Sequence, residues 1–144
     1  MKITVCSSAQ IFEKLWRIQK DLEERGYEVL LPSMIDFHHI AEDALAKIQG
    51  DLIKEHFRKI ERSDAILVVN YEKKGIKGYI GGNTFLEMGL AAYREIPIFL
   101  VNSIPEHVSY REELLALKPI VIGKNWDMLA TVLKERSHHH RKLY

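Results

Sequence analysis

Asp64-Ala65-Ile66-Leu67-Val68-Val69-Asn70 is a continuous apolar run between two polar residues, and it decides the fold class of this chain. A strand without polar alternation is typical of a parallel sheet that is covered on both faces. The run Gly81-Gly82-Asn83-Thr84-Phe85-Leu86-Glu87-Met88-Gly89 follows after a polar loop and leads into an apolar helix. A buried strand, a glycine-rich loop and a helix in this order predict one βα unit of an α/β protein.

On both sides of this unit, strands alternate with helices along the chain. Strands are predicted at 2–6, 27–31, 64–70, 96–101 and 120–122, and helices at 9–25, 42–62, 84–94, 110–117 and 126–136. This alternation predicts a doubly wound, five-stranded parallel sheet. We therefore expect one α/β domain over 1–136, followed by a polar tail at 137–144 that frays. The segment around Asp36, His38 and His39 is predicted to be a loop at the rim of the site.

Composition and charge exclude several classes of protein. The chain has 144 residues, enough for one domain, and its 21 basic and 20 acidic residues give a net charge of +1. This balance lacks the basic excess of a nucleic-acid-binding protein. The single cysteine, Cys6, excludes an intrachain disulfide, and no apolar run is long enough for a membrane span. A signal peptide is not recognised either, so we expect a cytoplasmic protein without nucleic-acid or membrane partners.

Candidate binding residues follow the predicted strands. In doubly wound sheets, ligands bind beyond the carboxyl ends of the strands. Glycines let a backbone approach a ligand closely, and the N-terminus of the next helix favours an anion such as phosphate. These features predict a site for a sugar or a nucleotide. The candidate binding residues are Ser7, Ser8, Asn70, Tyr71, Gly81, Gly82, Asn83 and Thr84. Ser7 or Ser8 could instead cap the first helix, and Tyr71 could be a rim residue.

Glu87 is the first candidate for catalysis, and it has two interpretations. A carboxylate at this place can attack an anomeric carbon and form a covalent glycosyl intermediate. Thr84-x-x-Glu87 is also a capping box, in which Thr84 caps the helix and Glu87 bonds back to the backbone. The two preceding glycines favour the catalytic interpretation.

His56 is the second catalytic candidate. On the predicted helix at 42–62 it falls on the inward face, so it is either a satisfied core histidine or an acid, base or positioning group of the site. The histidine run at 138–140 does not predict a metal site, because adjacent residues on a tail are not preorganised. Cys6 is expected to be a small buried apolar residue. We expect neither a metal nor a cofactor.

The motif Asn83-Thr84-Phe85-Leu86-Glu87-Met88-Gly89 resembles the Gly-Thr-x-x-Glu-x-Gly signature of the nucleoside 2-deoxyribosyltransferase superfamily, which includes a branch of nucleotide N-glycosidases. The resemblance covers most of the chain. It implies a flavodoxin-like fold with strand order 2-1-3-4-5 and Glu87 as nucleophile on C1′ of a nucleoside or its 5′-monophosphate. It also implies a homodimer or larger homo-oligomer, in which Ser109 and Tyr110 complete a neighbouring subunit's site.

Two departures from that signature keep other functions open. His56 stands where the family has an Asp that helps the base to leave, and Asn83 stands where it has Gly. The chain is also similar to phosphoribohydrolases of the lysine-decarboxylase-like family, with a motif that is one residue shorter and lacks their Pro. A non-catalytic nucleotide-binding module, with Glu87 as a helix cap, is a further alternative. Another alternative is a partner-binding domain that uses the segment at 36–39.

Overall fold

The computed structural model of this protein describes residues 1–8, 11–33 and 40–142. The segment of Asp36, His38 and His39, predicted as a rim loop, lies outside these residues. Strands and helices alternate as β1 (Lys2–Cys6), α1 (Phe12–Glu24), β2 (Glu28–Leu30), α2 (Glu42–Glu61), β3 (Ala65–Val68), α3 (Gly82–Tyr93), β4 (Ile98–Leu100), α4 (Arg111–Ala116), β5 (Ile120–Val121) and α5 (Trp126–Lys142).

The five strands form one parallel sheet in the order β2-β1-β3-β4-β5, which confirms the predicted doubly wound, flavodoxin-like fold. Cys6 at the end of β1 pairs with Val68 of β3, so the carboxyl ends of these central strands lie side by side. The chain leaves both strands at this edge, and the loops that follow can therefore meet in one place.

Each face of the sheet has its own apolar core. Along β3 the side chains alternate between the faces, with Ala65 and Leu67 on one side and Ile66 and Val68 on the other. Helices α1 and α5 cover the first face and α2, α3 and α4 cover the second. This two-sided burial explains why β3 is apolar throughout.

Several boundaries differ from the sequence-based expectation, most of them by one to three residues. Helix α3 begins at Gly82 and not at Thr84, and α1 begins at Phe12 within the described residues. Helix α5 continues to Lys142, six residues beyond its predicted end at 136. No Gly or Pro interrupts the chain after Gly123, and Arg136 bonds to the carbonyl oxygen of Glu95 at 3.3 Å, which ties the helix to the domain.

No helix in the described ranges is both long enough and apolar enough to cross a membrane.

Candidate active site

A cavity of about 480 Å³ opens at the carboxyl edge of the sheet, beside the ends of β1 and β3. Its volume is within the usual range of small-molecule sites. The walls come from the loop after β1, one face of α2, the loop before α3 and the first turns of α3. The residues singled out in the sequence that line it are Ser7, Ser8, His56, Gly81, Gly82, Asn83 and Glu87.

Glu87 lies in the second turn of α3 with its carboxylate at the cavity wall. The capping-box alternative is wrong. Gly81 occupies the N-cap position, and within the described residues no side chain caps this helix. Thr84 is inside the helix, and its hydroxyl lies 2.7 Å from Ser8 Oγ. The Glu87 carboxylate is therefore not held by the helix backbone and is available to the cavity.

Burial changes the protonation of Glu87. Its side chain is only 12% exposed, and removal from water raises the pKa of the carboxyl group to about 7. A hydrogen bond with the Cys6 thiol opposes this rise in pKa. The group therefore changes between acid and carboxylate close to neutral pH, which is the range in which a carboxyl group can serve as either nucleophile or acid.

His56 extends from α2 toward Glu87 and Cys6. Its Nε2 atom lies 3.8 Å from Glu87 Oε2 and 3.6 Å from Cys6 Sγ. Its Nδ1 atom is buried and has no hydrogen-bond partner among the residues that the structure describes. His56 is therefore not a core histidine with hydrogen bonds at both ring nitrogens. Its ring lies in the cavity wall.

The imidazole of His56 is neutral near physiological pH. Burial lowers its pKa to about 4, and the positive charge of Lys59 makes a smaller contribution to this lowering. The backbone of Val5 and the Glu55 carboxylate oppose the shift. Because imidazolium is not populated near neutral pH, an acid role has no support here. A neutral ring can still accept a proton or position a neighbouring group.

Ser8 connects the loop after β1 to the start of α3. Its hydroxyl accepts a hydrogen bond from the Gly81 N–H at 2.8 Å, and its carbonyl accepts one from Lys73 Nζ at 2.6 Å. A Cβ on Gly81 would lie 3.0 Å from Ser8 Oγ, whereas one on Gly82 would meet open space. Ser8 therefore supports the N-terminus of α3. Helix α1 has Ile11 at its N-cap without a side-chain cap bond in the described part, so the predicted serine cap is not observed there.

Five of the predicted binding residues do not line this cavity in the described structure. The buried Thr84 lies beneath Ser8, and Ser109 is exposed on the chain surface. Tyr71 packs on the core under α1, with Lys14 Nζ 5.1 Å from its ring centre. Asn70 and Tyr110 both bond to neighbouring backbone.

Asn70 and Tyr110 hold the loops that surround the site. The Asn70 amide donates to Asn102 O at 2.8 Å, and its oxygen accepts from Asn102 N at 2.8 Å, which joins the ends of β3 and β4. The Tyr110 hydroxyl donates to Ile80 O, and its ring stacks on Phe85 at 5.1 Å. The Asn70 amide also donates to Gly78 O at 3.4 Å, so both side chains contact the loop before α3.

Several cavity residues were not identified as site residues from the sequence. Tyr79 lines the wall two residues before Gly81, and Lys73 Nζ lies 5.6 Å from its ring centre. An aromatic residue next to a glycine-rich loop was the available signal for it. Leu52 and Ile53 on α2, at the helical spacing of an apolar face, also line the cavity. Helical spacing shows that a face is apolar, but not whether protein or ligand covers it.

No protein-family model matches the chain, and no curated protein matches it. Solved structures similar to the chain include two with TM-scores above 0.5. One is a conserved protein from Enterococcus faecalis V583, with 14% identity, a TM-score of 0.58, and coverage of 94% of this chain and 98% of that one. The other is a 2-deoxyribosyltransferase from Bacillus psychrosaccharolyticus, with 18% identity, a TM-score of 0.54 and coverage of 90% of each chain. At these identities the likeness shows a shared fold.

Proposed function

We propose that this protein cleaves or exchanges the N-glycosidic bond of a nucleoside or a nucleoside 5′-monophosphate, with Glu87 as the nucleophile. The observation that carries the proposal is the position of Glu87. Its carboxylate lies in a cavity at the carboxyl edge of the sheet, is not used as a helix cap, and has a pKa of about 7. The fold shared with a 2-deoxyribosyltransferase supports the choice of substrate.

In the first step, a carboxylate oxygen of Glu87 attacks the anomeric carbon of the sugar. The bond between that carbon and the base nitrogen breaks, and its electron pair leaves with the base. The base takes a proton from water in the open cavity, since the neutral His56 has no imidazolium proton to give. The product of this step is a glycosyl ester on Glu87.

In the second step, water or another base attacks the same carbon, and the Glu87 carboxylate is released. Water loses one proton in this step, and the neutral His56 ring beside Glu87 can accept it before passing it to solvent. Attack by water is hydrolysis, and attack by a second base is transfer. His56 is thus proposed as a base or positioning group in the second step.

Other cavity residues are proposed to hold the substrate. The Tyr79 ring offers a face on which a base can stack. Gly82 leaves open space at the start of α3, where a sugar or phosphate can approach the backbone N–H groups, and Lys73 adds a positive charge nearby. Residues Ser7 and Ser8 complete this side of the cavity. A homo-oligomer that adds Ser109 and Tyr110 to a neighbouring site stays part of the proposal.

The test is chromatographic measurement of base release from ribo- and deoxyribonucleosides and their 5′-monophosphates, with and without a second free base. We expect release from at least one member of the panel. A new nucleoside that contains the added base would identify transfer. If no base is released while nucleotides raise the melting temperature, the chain is a nucleotide-binding module and the proposed chemistry is wrong.

The pH dependence gives a separate prediction. The pKa of Glu87 is raised to about 7, so the nucleophilic carboxylate is scarce below that pH and predominant above it. We expect kcat/KM to rise roughly tenfold per pH unit below the pKa and to level off above it. Initial rates at low substrate concentration across this range would show the profile. Activity that falls as the pH rises toward neutrality would contradict a carboxylate nucleophile.

A further inference from the structure

Three potential metal ligands converge at one end of the cavity from three separate elements. Cys6 ends β1, His56 lies on α2 and Glu87 lies on α3, and their ligand atoms all lie within 4.8 Å of one another. The Sγ–Nε2 distance is 3.6 Å and the Nε2–Oε2 distance is 3.8 Å. All three side chains are largely buried, so the cluster is built into the domain and is not a surface coincidence.

These distances are close to those of a tetrahedral zinc site. Bond lengths of about 2.3 Å to sulfur and about 2.0–2.2 Å to nitrogen and oxygen place neighbouring ligands about 3.4–3.6 Å apart. The Sγ–Nε2 separation is at the upper end of this range, the Nε2–Oε2 separation exceeds it by about 0.2 Å, and the Cys6 and Glu87 ligand atoms lie within 4.8 Å of each other. Small side-chain rotations of Glu87 and His56 would bring the atoms to bonding distance of one ion.

We propose that Cys6, His56 and Glu87 bind one divalent cation of the zinc class, with a fourth position that opens into the cavity. Thiolate, imidazole and carboxylate are all established zinc ligands, and three protein ligands with one open position are typical of sites that accept water or a small molecule. His56 and Glu87 line the cavity, which gives the ion a path of entry and its fourth ligand a place.

The charges of such a site balance. A thiolate and a carboxylate together carry two negative charges, which neutralise a divalent cation in surroundings where an unpaired charge is costly. The Cys6 proton passes to solvent when the ion binds, as does any proton on Glu87, while the neutral imidazole loses none. Hard cations such as Mg²⁺ are not favoured, because they prefer oxygen ligands.

Binding of the ion to the protein does not depend on glycosidic activity. The effect of the ion on base release, in contrast, rests on the proposed function. If Glu87 is the nucleophile, the cation and the sugar compete for the same carboxylate. Zinc would then inhibit base release, and a chelator would restore it. If zinc binds but does not inhibit base release, the result counts against Glu87 as nucleophile and not against the metal site. Metal binding has a separate readout.

That readout is the absorption spectrum of the protein titrated with Co²⁺ alone, in the presence of a phosphine reductant. Cys6 is the one cysteine in the sequence, so a thiolate-to-cobalt charge-transfer band can come from no other residue. We expect this band to appear with saturation at one equivalent, and Zn²⁺ to displace the cobalt. A wild-type protein that shows no such band at excess Co²⁺ would overturn the proposal.

Two variants complete the experiment. Replacing all three histidines at 138–140 with Ala removes the adventitious ligands of α5, and we expect the band to remain. Glu87→Gln should weaken cobalt binding by more than the roughly 10–100-fold that loss of an outer-shell partner costs. If the histidine variant loses the binding, or if Glu87→Gln binds as tightly as wild type, the ion is held elsewhere and the proposed site is wrong.

Discussion

Glu87→Gln is expected to reduce kcat/KM for base release by about 10⁴-fold or more, the order of loss when a nucleophile or its catalytic partner is removed. Gln keeps the size of the side chain and its ability to accept a hydrogen bond from Cys6. It cannot carry the negative charge that attacks the anomeric carbon in the proposed mechanism. Substrate binding, measured by calorimetry, should change little, because the amide fills the same space at the cavity wall.

The same substitution should increase stability. In the folded protein the pKa of Glu87 is raised from 4.5 to about 7, so the folded state binds the proton more tightly than the unfolded chain. The stabilisation that protonated Glu87 contributes is therefore complete below its pKa in the unfolded chain. It is lost as the pH rises through its pKa in the folded protein. The carboxylate costs on the order of 3 kcal/mol above about pH 8, and a neutral Gln avoids this cost.

Denaturant unfolding of wild type and Glu87→Gln above and below neutral pH measures this gain. The matched control is Glu61→Gln on α2, where the carboxylate is 45% exposed and pairs with Arg94 across the surface. A surface ion pair contributes about 0–1 kcal/mol, so the control should lose a little stability or none. A Glu87→Gln protein that is less stable than wild type at high pH would mean that the carboxylate supports the fold and is not destabilised by its burial.

Sequence reasoning succeeds for the fold because β3 and its neighbours are determined by local composition. A strand such as Ala65–Val68 is apolar throughout only when both faces of the sheet are covered, and the alternation with helices then leaves few topologies. Helix ends were less accurate. The capping preference of Thr84 predicted a start two residues late, because Ser8, distant in the sequence, holds the N-terminus of α3 through Gly81.

The site could be predicted only in part. Glu87 follows its glycines closely in the sequence, so a local pattern made it a candidate, and it does line the cavity. The cluster of Cys6, His56 and Glu87 depends on pairings across 50 residues and more, which only the register of β1 with β3 and the packing of α2 on α3 create. The same holds for Asn70, whose amide looks available in the sequence and is used by backbone across the sheet.

Gly78→Ala is expected to destabilise the protein by about 2–5 kcal/mol. Gly78 has a φ of +71°, a left-handed conformation that costs a residue with a side chain about 1–2 kcal/mol. A Cβ at this position would also lie 2.3 Å from the carbonyl oxygen of Ser103, which is far inside van der Waals contact. The backbone must therefore move, and the loop that Asn70 joins to the end of β4 moves with it.

Gly75→Ala is the matched control for this substitution. Gly75 has a similar φ of +73°, but a Cβ there would meet nothing within 4 Å. It should cost about 1–2 kcal/mol from its conformation alone. The difference between the two variants in denaturant unfolding isolates the contact with Ser103. Equal losses would show that the loops at β3 and β4 do not pack as described.

The activity of the same pair links this loop to the proposed site. Tyr79 follows Gly78 directly and lines the cavity, so a displaced backbone at Gly78 moves the ring on which we propose the base to stack. We expect Gly78→Ala to raise KM more than it lowers kcat, because Glu87 on α3 keeps its place, and we expect Gly75→Ala to leave KM unchanged. A fall in kcat with normal KM would instead mean that this loop acts on Glu87, the proposed nucleophile.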